Sequence, residues 1–236
     1  MAATWQSDVT MVITSCGRQD LLRRTLDSFL RTNTCPIAHF IITEDSAVPG
    51  INDQLKQRYH MLPMTWIEVA ERRGQIACVD DAYGRVQTKY IFHCEDDWEF
   101  SGGFYVEKSR FILESCPGVM QVWLRADNDT NGHPVEPHEW SASNGKETFG
   151  WKRLAYGYRN QNGFVWDGFS FNPGLRRLSD YKMIGPYRQY KTENGISLAY
   201  KARLFSAVIL SGNGFVRHIG DERHMPDPSR TMSTAP

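Results

Sequence analysis

Three consecutive carboxylates, Glu95, Asp96 and Asp97, follow the apolar run Tyr90 to His93 after a single cysteine. Hard divalent cations such as Mg²⁺ and Mn²⁺ prefer carboxylate oxygens, and they bind through one or two of them together with phosphate oxygens. A cation held on a diphosphate would neutralise that group as it leaves in a transfer reaction. A solvated acidic turn is the alternative interpretation, but a triplet that ends a buried strand and precedes Trp98 favours the metal site.

The elements that must position these carboxylates are predicted from hydrophobic periodicity. Leu22, Leu26, Phe29 and Leu30 recur at the spacing of one helical face, whereas Val9 to Thr14 is a continuous apolar run typical of a buried strand. The two patterns alternate as far as residue 124. The predicted strands cover residues 9–14, 37–42, 64–69, 90–93 and 119–124, and the predicted helices cover 19–30, 53–59, 75–86 and 103–114.

This alternation predicts an α/β fold with a mainly parallel sheet flanked by helices. In such sheets a ligand lies at the carboxyl ends of the strands. Because the acidic triplet directly follows one strand end, it stands where a ligand is expected.

The chain beyond residue 124 has a different character. Residues 125–163 are polar and rich in Asn, Gly, His and Trp, and they show no periodicity. Segments of this length without elements are usually functional or disordered, and the aromatic residues favour an ordered lobe. Beyond it we predict a strand at 164–171, a helix at 192–203 and a strand at 215–218. We therefore expect one domain with two halves, 1–124 and an irregular 125–236, and a flexible tail from about residue 225.

Composition limits the classes of protein that the chain can represent. With 236 residues, 41% of them hydrophobic and 23% charged, it has the composition of a folded globular domain. Its formal net charge is zero, yet residues 150–236 hold 13 Lys and Arg against six Asp and Glu. This excess of positive charge fits the binding of an anionic ligand, or it is a scattered set of solvated side chains.

Five cysteines without a CxxC pair fit a reducing compartment. The sequence shows no signal peptide and no apolar run that would span a bilayer, so we expect a cytoplasmic location.

Four segments of the chain share their order and spacing with a known family. They are residues 12–18 (VITSCGR), 41–46 (IITEDS), 73–82 (RGQIACVDDA) and 95–97 (EDD). Together they resemble the family-2-type glycosyltransferases with the GT-A, Rossmann-like fold, whose Asp-x-Asp motif stands at the position of the triplet. The resemblance covers roughly the first 120 residues. It implies an enzyme that transfers a sugar from a nucleotide-diphosphate sugar, with a UDP-sugar as the expected donor.

The resemblance also implies which residues bind the donor. Thr14, Ser15 and Arg18 would contact the nucleotide, and Glu44 or Asp45 would accept a hydrogen bond from the nucleobase. Alternatively, the two hydroxyls cap the first helix, the arginine is solvated and the two acids form an ordinary turn. Two further donor contacts follow from the same resemblance: Arg73 at a phosphate, and Asp80 at a position where the family has Asn.

Within the triplet, the resemblance implies that Asp97 is a direct ligand of manganese or magnesium. Glu95 would lie near the donor ribose or reach the metal through water, and Asp96 stays without a specific role at the donor. A further ligand would come from the strand end Val216 to Gly220, where His218 is our choice. His224 is the competing candidate, and a lone histidine is more often structural or solvated.

An inverting transferase needs a carboxylate that takes the proton of the acceptor hydroxyl. Glu193, at a predicted helix start, resembles the first position of the family's Glu-Asp base motif, and Asn194 replaces its usual Asp. If the first position of the motif takes the proton, Glu193 is the base. If the second position takes it, Glu193 cannot be assumed to be the base. The alternative is an acid favoured there by the helix dipole. Asp167 is the reserve candidate.

The sequence therefore predicts a metal-dependent inverting glycosyltransferase. Its acceptor would be a hydroxyl of a glycan, a small molecule or a modified nucleic acid. One rival is a nucleotidyltransferase, although residues 15–18 (SCGR) are a poor version of its Gly- and Lys-rich loop. The other rival is a catalytically silent module that binds nucleotide sugars. This alternative stays possible because Asn194 replaces the usual Asp.

Overall fold

A nine-stranded mixed sheet organises the chain in the computed structural model, which describes residues 7–143, 147–159, 165–220, 223 and 225. Two small sheets of two strands each accompany it. The strands are β1 (Val9–Ser15), β2 (His39–Glu44), β3 (Met64–Glu68), β4 (Tyr90–Glu95), β5 (Trp98–Phe100), β6 (Val119–Trp123), β7 (Val135–Ser143), β8 (Thr148–Leu154), β9 (Tyr158–Arg159), β10 (Val165–Trp166), β11 (Gly174–Arg177), β12 (Ser206–Leu210) and β13 (Val216–His218).

Helices cover both faces of the large sheet. Those in the described ranges are α1 (Gln19–Thr32), α2 (Asp53–Arg58), α3 (Gln75–Tyr83), α4 (Tyr105–Ser115), α5 (Leu178–Ile184), the 3₁₀ helix Tyr187–Tyr190 and α6 (Glu193–Lys201).

The order of strands in the large sheet is β3-β2-β1-β4-β11-β6-β12-β8-β7. The pairs among β3, β2, β1 and β4 are parallel, as is the pair of β6 with β12. β11 is inserted antiparallel between β4 and β6, and β8 runs antiparallel to both β12 and β7. The predicted α/β class with parallel strands at its core is confirmed.

Alternate residues of the central strands enter two separate hydrophobic cores. Ile13 and Phe92 pack on the face that α1 and α4 cover, whereas Val12 and Ile91 pack on the face that α3 and the C-terminal helices cover. Strands buried on both faces are continuous apolar runs, which is why they were visible in the sequence.

The predicted apolar face of α1 needs one correction. Leu22, Leu26 and Phe29 are buried, but Leu30 is 39% exposed, and Leu21 takes its place in the core. Positions 21 and 22 together with 26 and 29 form the buried stripe, because 3.6 residues per turn rotate position 30 away from the sheet.

Residues 125–163 were expected to lack regular elements, and this is wrong for most of the described part. β7 and β8 form an antiparallel hairpin that extends the large sheet. β7 is an edge strand with mostly exposed side chains, so it lacks the apolar alternation by which a strand is recognised. The strand predicted at 164–171 is reduced to β10, with residue 164 outside the described ranges.

Three buried elements were not predicted at all: β11, α5 and β12. β11 is only four residues long and contains two arginines, which gives no strand signal. β12 is a five-residue buried run, and such short apolar runs do not by periodicity alone distinguish strand from helix.

The described part of the chain contains no helix with the length and apolar character needed to cross a bilayer. All five cysteines are free thiols. His224 and the tail from residue 226 onwards, which includes nearly all of the tail predicted to be flexible, lie outside the described residues.

Candidate active site

A cavity of about 350 Å³ opens at the carboxyl ends of β1, β2 and β4. Side chains from these strand ends, from the start of α6 and from the end of β13 meet there. Its walls include Thr14, Ser15, Arg18, Asp45, Glu95, Asp97, Glu193 and His218.

Two hydroxyl groups of α1 hold the acidic turn in place. Thr25 Oγ1 donates to the Asp96 carbonyl at 2.8 Å and accepts from the Trp98 amide at 3.1 Å. Ser28 Oγ accepts from the Phe100 amide at 2.9 Å. Both hydroxyls are buried, so the helix supplies the hydrogen bonds that a neighbouring strand would otherwise make. As a result the chain can turn sharply after β4.

His218 reaches the triplet through strand pairing. β13 runs antiparallel to β5 with His218 opposite Trp98, and the Ile219 amide donates to the Asp97 carbonyl at 2.9 Å. The two rings lie 4.9 Å apart, and His218 Nε2 is 3.2 Å from Asp97 Oδ2. The structure thus brings together the two residues that the sequence proposed as metal ligands.

Asp96 belongs to the interior rather than to the cavity wall. Its fully buried carboxylate accepts from Ser15 Oγ at 2.9 Å, from the Cys16 amide at 3.4 Å, and from Nε of Arg18 at 3.3 Å as well as from its Nη2. Burial raises the pKa of Asp96 to about 7, although the Arg18 charge opposes this shift. Asp96, which had no specific predicted role at the donor, therefore holds Arg18 in place.

The two carboxylate oxygens of Asp97 have different hydrogen-bonding surroundings. Oδ2 accepts from Arg18 Nη1 at 2.8 Å and faces His218, whereas no donor among the described residues reaches the buried Oδ1. Burial alone would raise the pKa of Asp97, but the His218 hydrogen bond and the Arg18 charge outweigh it and lower that pKa. A Cβ at Gly220 would collide with this carboxylate, so the chain leaves space at Asp97 that only glycine permits.

Asp97 and His218 fit a divalent cation in part. An orphaned carboxylate oxygen and an imidazole nitrogen are suitable ligands for Mn²⁺. Within the described ranges no three His, Cys, Asp or Glu side chains form a site by themselves. The remaining ligands would have to come from phosphate oxygens and water, as is usual for cations that bind with a nucleotide.

Glu95 lines the cavity and is held by two side-chain donors. Gln75 Nε2 donates to it at 2.7 Å and Trp98 Nε1 at 3.3 Å. Burial, together with the charges of Asp97 and Glu193, raises the pKa of Glu95 to about 7. Asp97 and Glu193 therefore both repel the Glu95 carboxylate at this cavity, which favours the binding of a positive charge there.

Glu44 and Asp45 differ in their accessibility. Glu44 is buried and accepts from the Gly17 amide at 2.8 Å, from the Ser46 amide at 2.9 Å and from Gln19 Nε2 at 3.0 Å. It also lies 3.0 Å from Ser15 Oγ, whose single proton it shares with Asp96. Its carboxylate thus shapes the turn in which Gly17 has φ +71°. Asp45 accepts from the amides of residues 73 and 74 at 2.7 and 2.9 Å and forms part of the cavity wall. Of the two candidates for the nucleobase contact, Asp45 reaches the cavity.

Arg73 and Asp80, both proposed as donor contacts, are engaged elsewhere. The Arg73 guanidinium pairs with Asp81. Asp80 is buried and accepts from four donors: Tyr181 Oη at 3.0 Å, the Tyr187 amide at 2.7 Å, the Arg188 amide at 2.9 Å and Arg188 Nε at 3.1 Å. It fastens α3 to the 3₁₀ helix. Arg72 and Gln75 from the same segment line the cavity instead.

Glu193 lies in the first turn of α6 and faces the cavity. Thr192 Oγ1 caps this helix by accepting from the Gly195 amide at 3.1 Å, and Glu193 Oε1 accepts from the Phe171 amide at 2.7 Å. Asn194 is not among the residues of the cavity wall. The reserve candidate Asp167 is buried away from the cavity and forms an ion pair with Lys201 at 2.8 Å. Of these three, Glu193 is therefore the side chain placed at the cavity.

Another part of the cavity wall contains none of the site residues predicted from the sequence. It is formed by Asn131, Trp166, Ser170 and Asn172. The four tryptophans beyond residue 100 lie in different places: Trp166 faces this cavity, Trp123 is buried, and Trp140 and Trp151 line a second cavity of about 400 Å³. Only the fold decides which of these rings faces the cavity.

Structure comparison finds the same architecture in two glycosyltransferases. A mannosyltransferase from Pyrobaculum calidifontis, solved with GDP-Man and Mn²⁺, matches 89% of this chain and 58% of its own length with a TM-score of 0.61 and 13% identity. S. aureus TarS 1–349, solved with UDP-GlcNAc, matches 92% of this chain and 62% of its own length with a TM-score of 0.54 and 9% identity.

This chain thus spans about three fifths of the length of these two proteins. No protein-family model and no curated protein matches it. The mixed α/β sheet flanked by helices matches these neighbours in fold, and the chain has the GT-A fold found in glycosyltransferases that bind nucleotide sugars.

Proposed function

We propose that this chain is a metal-dependent inverting glycosyltransferase, which moves a sugar from a nucleotide-diphosphate sugar to an acceptor hydroxyl. One observation carries the proposal. Asp97 and His218, a suitable pair of metal ligands, share a single cavity with Glu193, a suitable base, at the carboxyl ends of parallel strands. The fold supports it, since nucleotide sugars occupy the two structural neighbours named above.

The metal site in this proposal consists of Asp97 and His218, with Glu95 as a neighbouring charge. Manganese or magnesium bound there would supply positive charge to the departing diphosphate. The surrounding protein prepares the site, because β5 and β13 fix the distance between the two ligands before any ligand binds. His224, outside the described residues, stays an alternative ligand.

The donor nucleotide would lie along the ends of β1 and β2. Thr14 and Ser15 offer hydroxyls, Asp45 offers a carboxylate for the nucleobase, and Arg72 offers a cation for phosphate. We assign no direct donor contact to Glu44, Asp96, Arg73 or Asp80, because they do not line the cavity and their polar groups are engaged within the protein. A UDP-sugar is the donor that we propose.

Glu193 would act as the general base. Its carboxylate takes the proton of the acceptor hydroxyl while that oxygen attacks the anomeric carbon, and the bond between this carbon and the diphosphate oxygen breaks with its electron pair going to the diphosphate. Attack opposite to the leaving group inverts the anomeric configuration. The Phe171 amide holds one carboxylate oxygen and thereby fixes the orientation of the base.

The two halves of the chain divide the cavity in a way that supports separate roles. The walls from residues 14–97 surround the proposed donor position, whereas the walls from residues 131–193 contribute Asn131, Trp166 and the base. We propose residues 1–124 as the donor half and 125–236 as the acceptor and catalytic half. A glycan, small molecule or modified nucleic acid remains the proposed acceptor, and the cytoplasm the proposed compartment.

The direct test is incubation of the protein with a panel of nucleotide sugars and Mn²⁺. We expect at least one donor to raise the unfolding temperature and to undergo slow hydrolysis, which releases a nucleoside diphosphate. Release of a sugar 1-phosphate, by transfer of the nucleoside monophosphate, would instead indicate a nucleotidyltransferase, and stabilisation without any turnover would indicate a binding module. No response to any nucleotide sugar would refute the proposal.

Asp97→Ala tests the metal site within this experiment. Because it removes the carboxylate nearest to His218, we expect Mn²⁺-dependent donor binding to fall by at least about 100-fold, comparable to about 2.7 kcal/mol. Asp53→Ala on α2 is the matched control, since that aspartate side chain is 73% exposed. Equal Mn²⁺-dependent binding by Asp97→Ala and wild type would disprove the ligand assignment.

A further inference from the structure

Arg18 occupies an unusual position between two carboxylates of the proposed metal motif. Its Nε and Nη2 donate to Asp96, while its Nη1 donates to Asp97 Oδ2 at 2.8 Å and to the Arg223 carbonyl at 3.1 Å. The guanidinium is largely buried, with only 13% of the side chain exposed. A fixed positive charge therefore lies on the oxygen that also faces His218.

A divalent cation and this guanidinium would compete for the same carboxylate. A cation bound by Asp97 and His218 must approach Oδ2 or its immediate surroundings, where Arg18 Nη1 already lies. Two positive charges a few ångströms apart repel each other, and the partly buried surroundings screen this repulsion less than bulk water does. Mn²⁺ can bind there fully only when Nη1 leaves Asp97.

Asp96 would keep Arg18 nearby after such a displacement. Ser15 Oγ and the Cys16 amide hold the Asp96 carboxylate from the other side, so its position does not depend on Arg18 alone. Because the guanidinium is a rigid plane, Nη1 can leave Asp97 if the plane tilts or gives up one of its two bonds to Asp96, and the remaining pairing keeps the group nearby. Because Arg18 also forms part of the cavity wall, its freed Nη1 would then be available to a phosphate oxygen.

We propose that Arg18 is a tethered competitor of the divalent cation: it neutralises Asp97 when no cation is bound, and it is displaced towards the donor diphosphate when one binds. This inference rests on the proposed metal site. It gives Arg18 a role that a simple contact with the nucleotide does not include, namely control of metal affinity in the absence of donor.

The test measures Mn²⁺ affinity without donor, from the electron paramagnetic resonance signal of free Mn²⁺ in a titration. Arg18→Met removes the competitor, so we expect Mn²⁺ to bind at least about tenfold more tightly than to wild type. Asp96→Asn weakens the tether, so more of the guanidinium charge stays on Asp97 and Mn²⁺ should bind more weakly. Arg23→Met, at a side chain that is 49% exposed on α1, is the matched control and should leave the affinity unchanged.

Loss of Arg18 alone leaves Asp96 buried without its partner, which could prevent folding. The double variant Arg18→Met/Asp96→Asn removes both charges together, and it too should bind Mn²⁺ more tightly than wild type. Circular dichroism and thermal unfolding establish that each variant is folded.

The outcomes separate this inference from the proposed function. Equal or weaker Mn²⁺ binding by Arg18→Met and by the double variant, with measurable binding by wild type, would overturn the competition alone. No Mn²⁺ binding by any variant at millimolar concentrations would overturn the competition together with the metal dependence of the proposed function.

Discussion

At the scale of single residues, Glu193 is the group on which the proposed chemistry depends most. Its carboxylate has one oxygen on the Phe171 amide, and its charge contributes to the raised pKa of Glu95 across the cavity. It is therefore close to the proposed metal site but is not one of the ligands assigned to it. Changes at Glu193 should separate catalysis from binding.

Glu193→Gln keeps the shape of the side chain and removes its basicity. We expect donor binding within about threefold of wild type and a loss of transfer of about 10² to 10⁴-fold, which is the usual contribution of a general base. Binding is measured by calorimetry and transfer by release of nucleoside diphosphate. Glu114→Gln, at an exposed carboxylate of α4, is the matched control. Transfer retained by Glu193→Gln would show that another group is the base.

His93 gives a second prediction, because it is a buried histidine beside the site. Its ring lies between those of Tyr83 and Phe171, and neither nitrogen has a hydrogen-bond partner among the described residues. Burial and the positive charge of Arg176 hold the pKa of His93 well below its ordinary value of 6.5. Below pH 6.5 the unfolded chain therefore binds a proton that the folded chain does not bind.

This difference should destabilise the wild type as the pH falls, by up to about 1.4 kcal/mol per pH unit below 6.5. His93→Leu removes this titrating group, so the free energy of unfolding of the variant should fall less steeply than that of the wild type as the pH is lowered from 7.5 to 5.5. Urea denaturation at three pH values measures this, with His60→Leu as the control for an exposed histidine. Parallel curves for wild type and His93→Leu would contradict the prediction.

At the scale of elements, the site depends on two non-local arrangements. α1 offers Thr25 and Ser28 to the turn after β4, and β13 pairs with β5 to bring His218 beside Asp97. A third arrangement joins α3 to the 3₁₀ helix through Asp80. Each of them uses a buried polar group, so each should be sensitive to small chemical changes.

Asp80→Asn distinguishes a structural role from a donor contact. The amide offers one acceptor oxygen to a set of four donor groups, so we expect the free energy of unfolding to fall by about 1–3 kcal/mol, the cost of unsatisfied buried donors. The folded variant should bind the nucleotide with wild-type affinity. Asp81→Asn, which affects a more exposed ion pair with Arg73, should cost less than about 1 kcal/mol. A large loss of nucleotide affinity at unchanged stability would favour the donor contact instead.

At the scale of the whole molecule, the formal charge is balanced at zero near pH 7. A protein without net charge has little repulsion between its copies. We expect self-association to be greatest near pH 7 and to decrease at pH 8.5, as measured by light scattering. Gln54→Glu/Gln57→Glu adds two charges on the exposed side of α2 and should reduce association at pH 7. Unchanged association in this variant would show that charge balance is not the cause.

Strand and helix patterns up to residue 124 predicted the larger part of the fold, because parallel strands buried on both faces leave continuous apolar runs. The resemblance to glycosyltransferases depended on the same segment. The hairpin of β7 and β8, and the inserted β11, were not predicted since their stability comes from pairing with distant strands. β7 in particular exposes most of its side chains, and exposed positions impose no periodicity.

The sequence by itself determined that acidic residues stand at a strand end of an α/β fold. Only the tertiary structure decided which of them reach the cavity. Glu44, Asp80 and Asp96 are acids in suitable segments, yet buried amides, hydroxyls and guanidinium groups use their oxygens, whereas Asp45, Asp97 and Glu193 form the cavity wall. The physical reason is that a carboxylate has few lone pairs and the folded chain determines which donors reach them. Asp45, Asp97 and Glu193 also accept hydrogen bonds, so what separates them from the acids that support the fold is their place at the cavity.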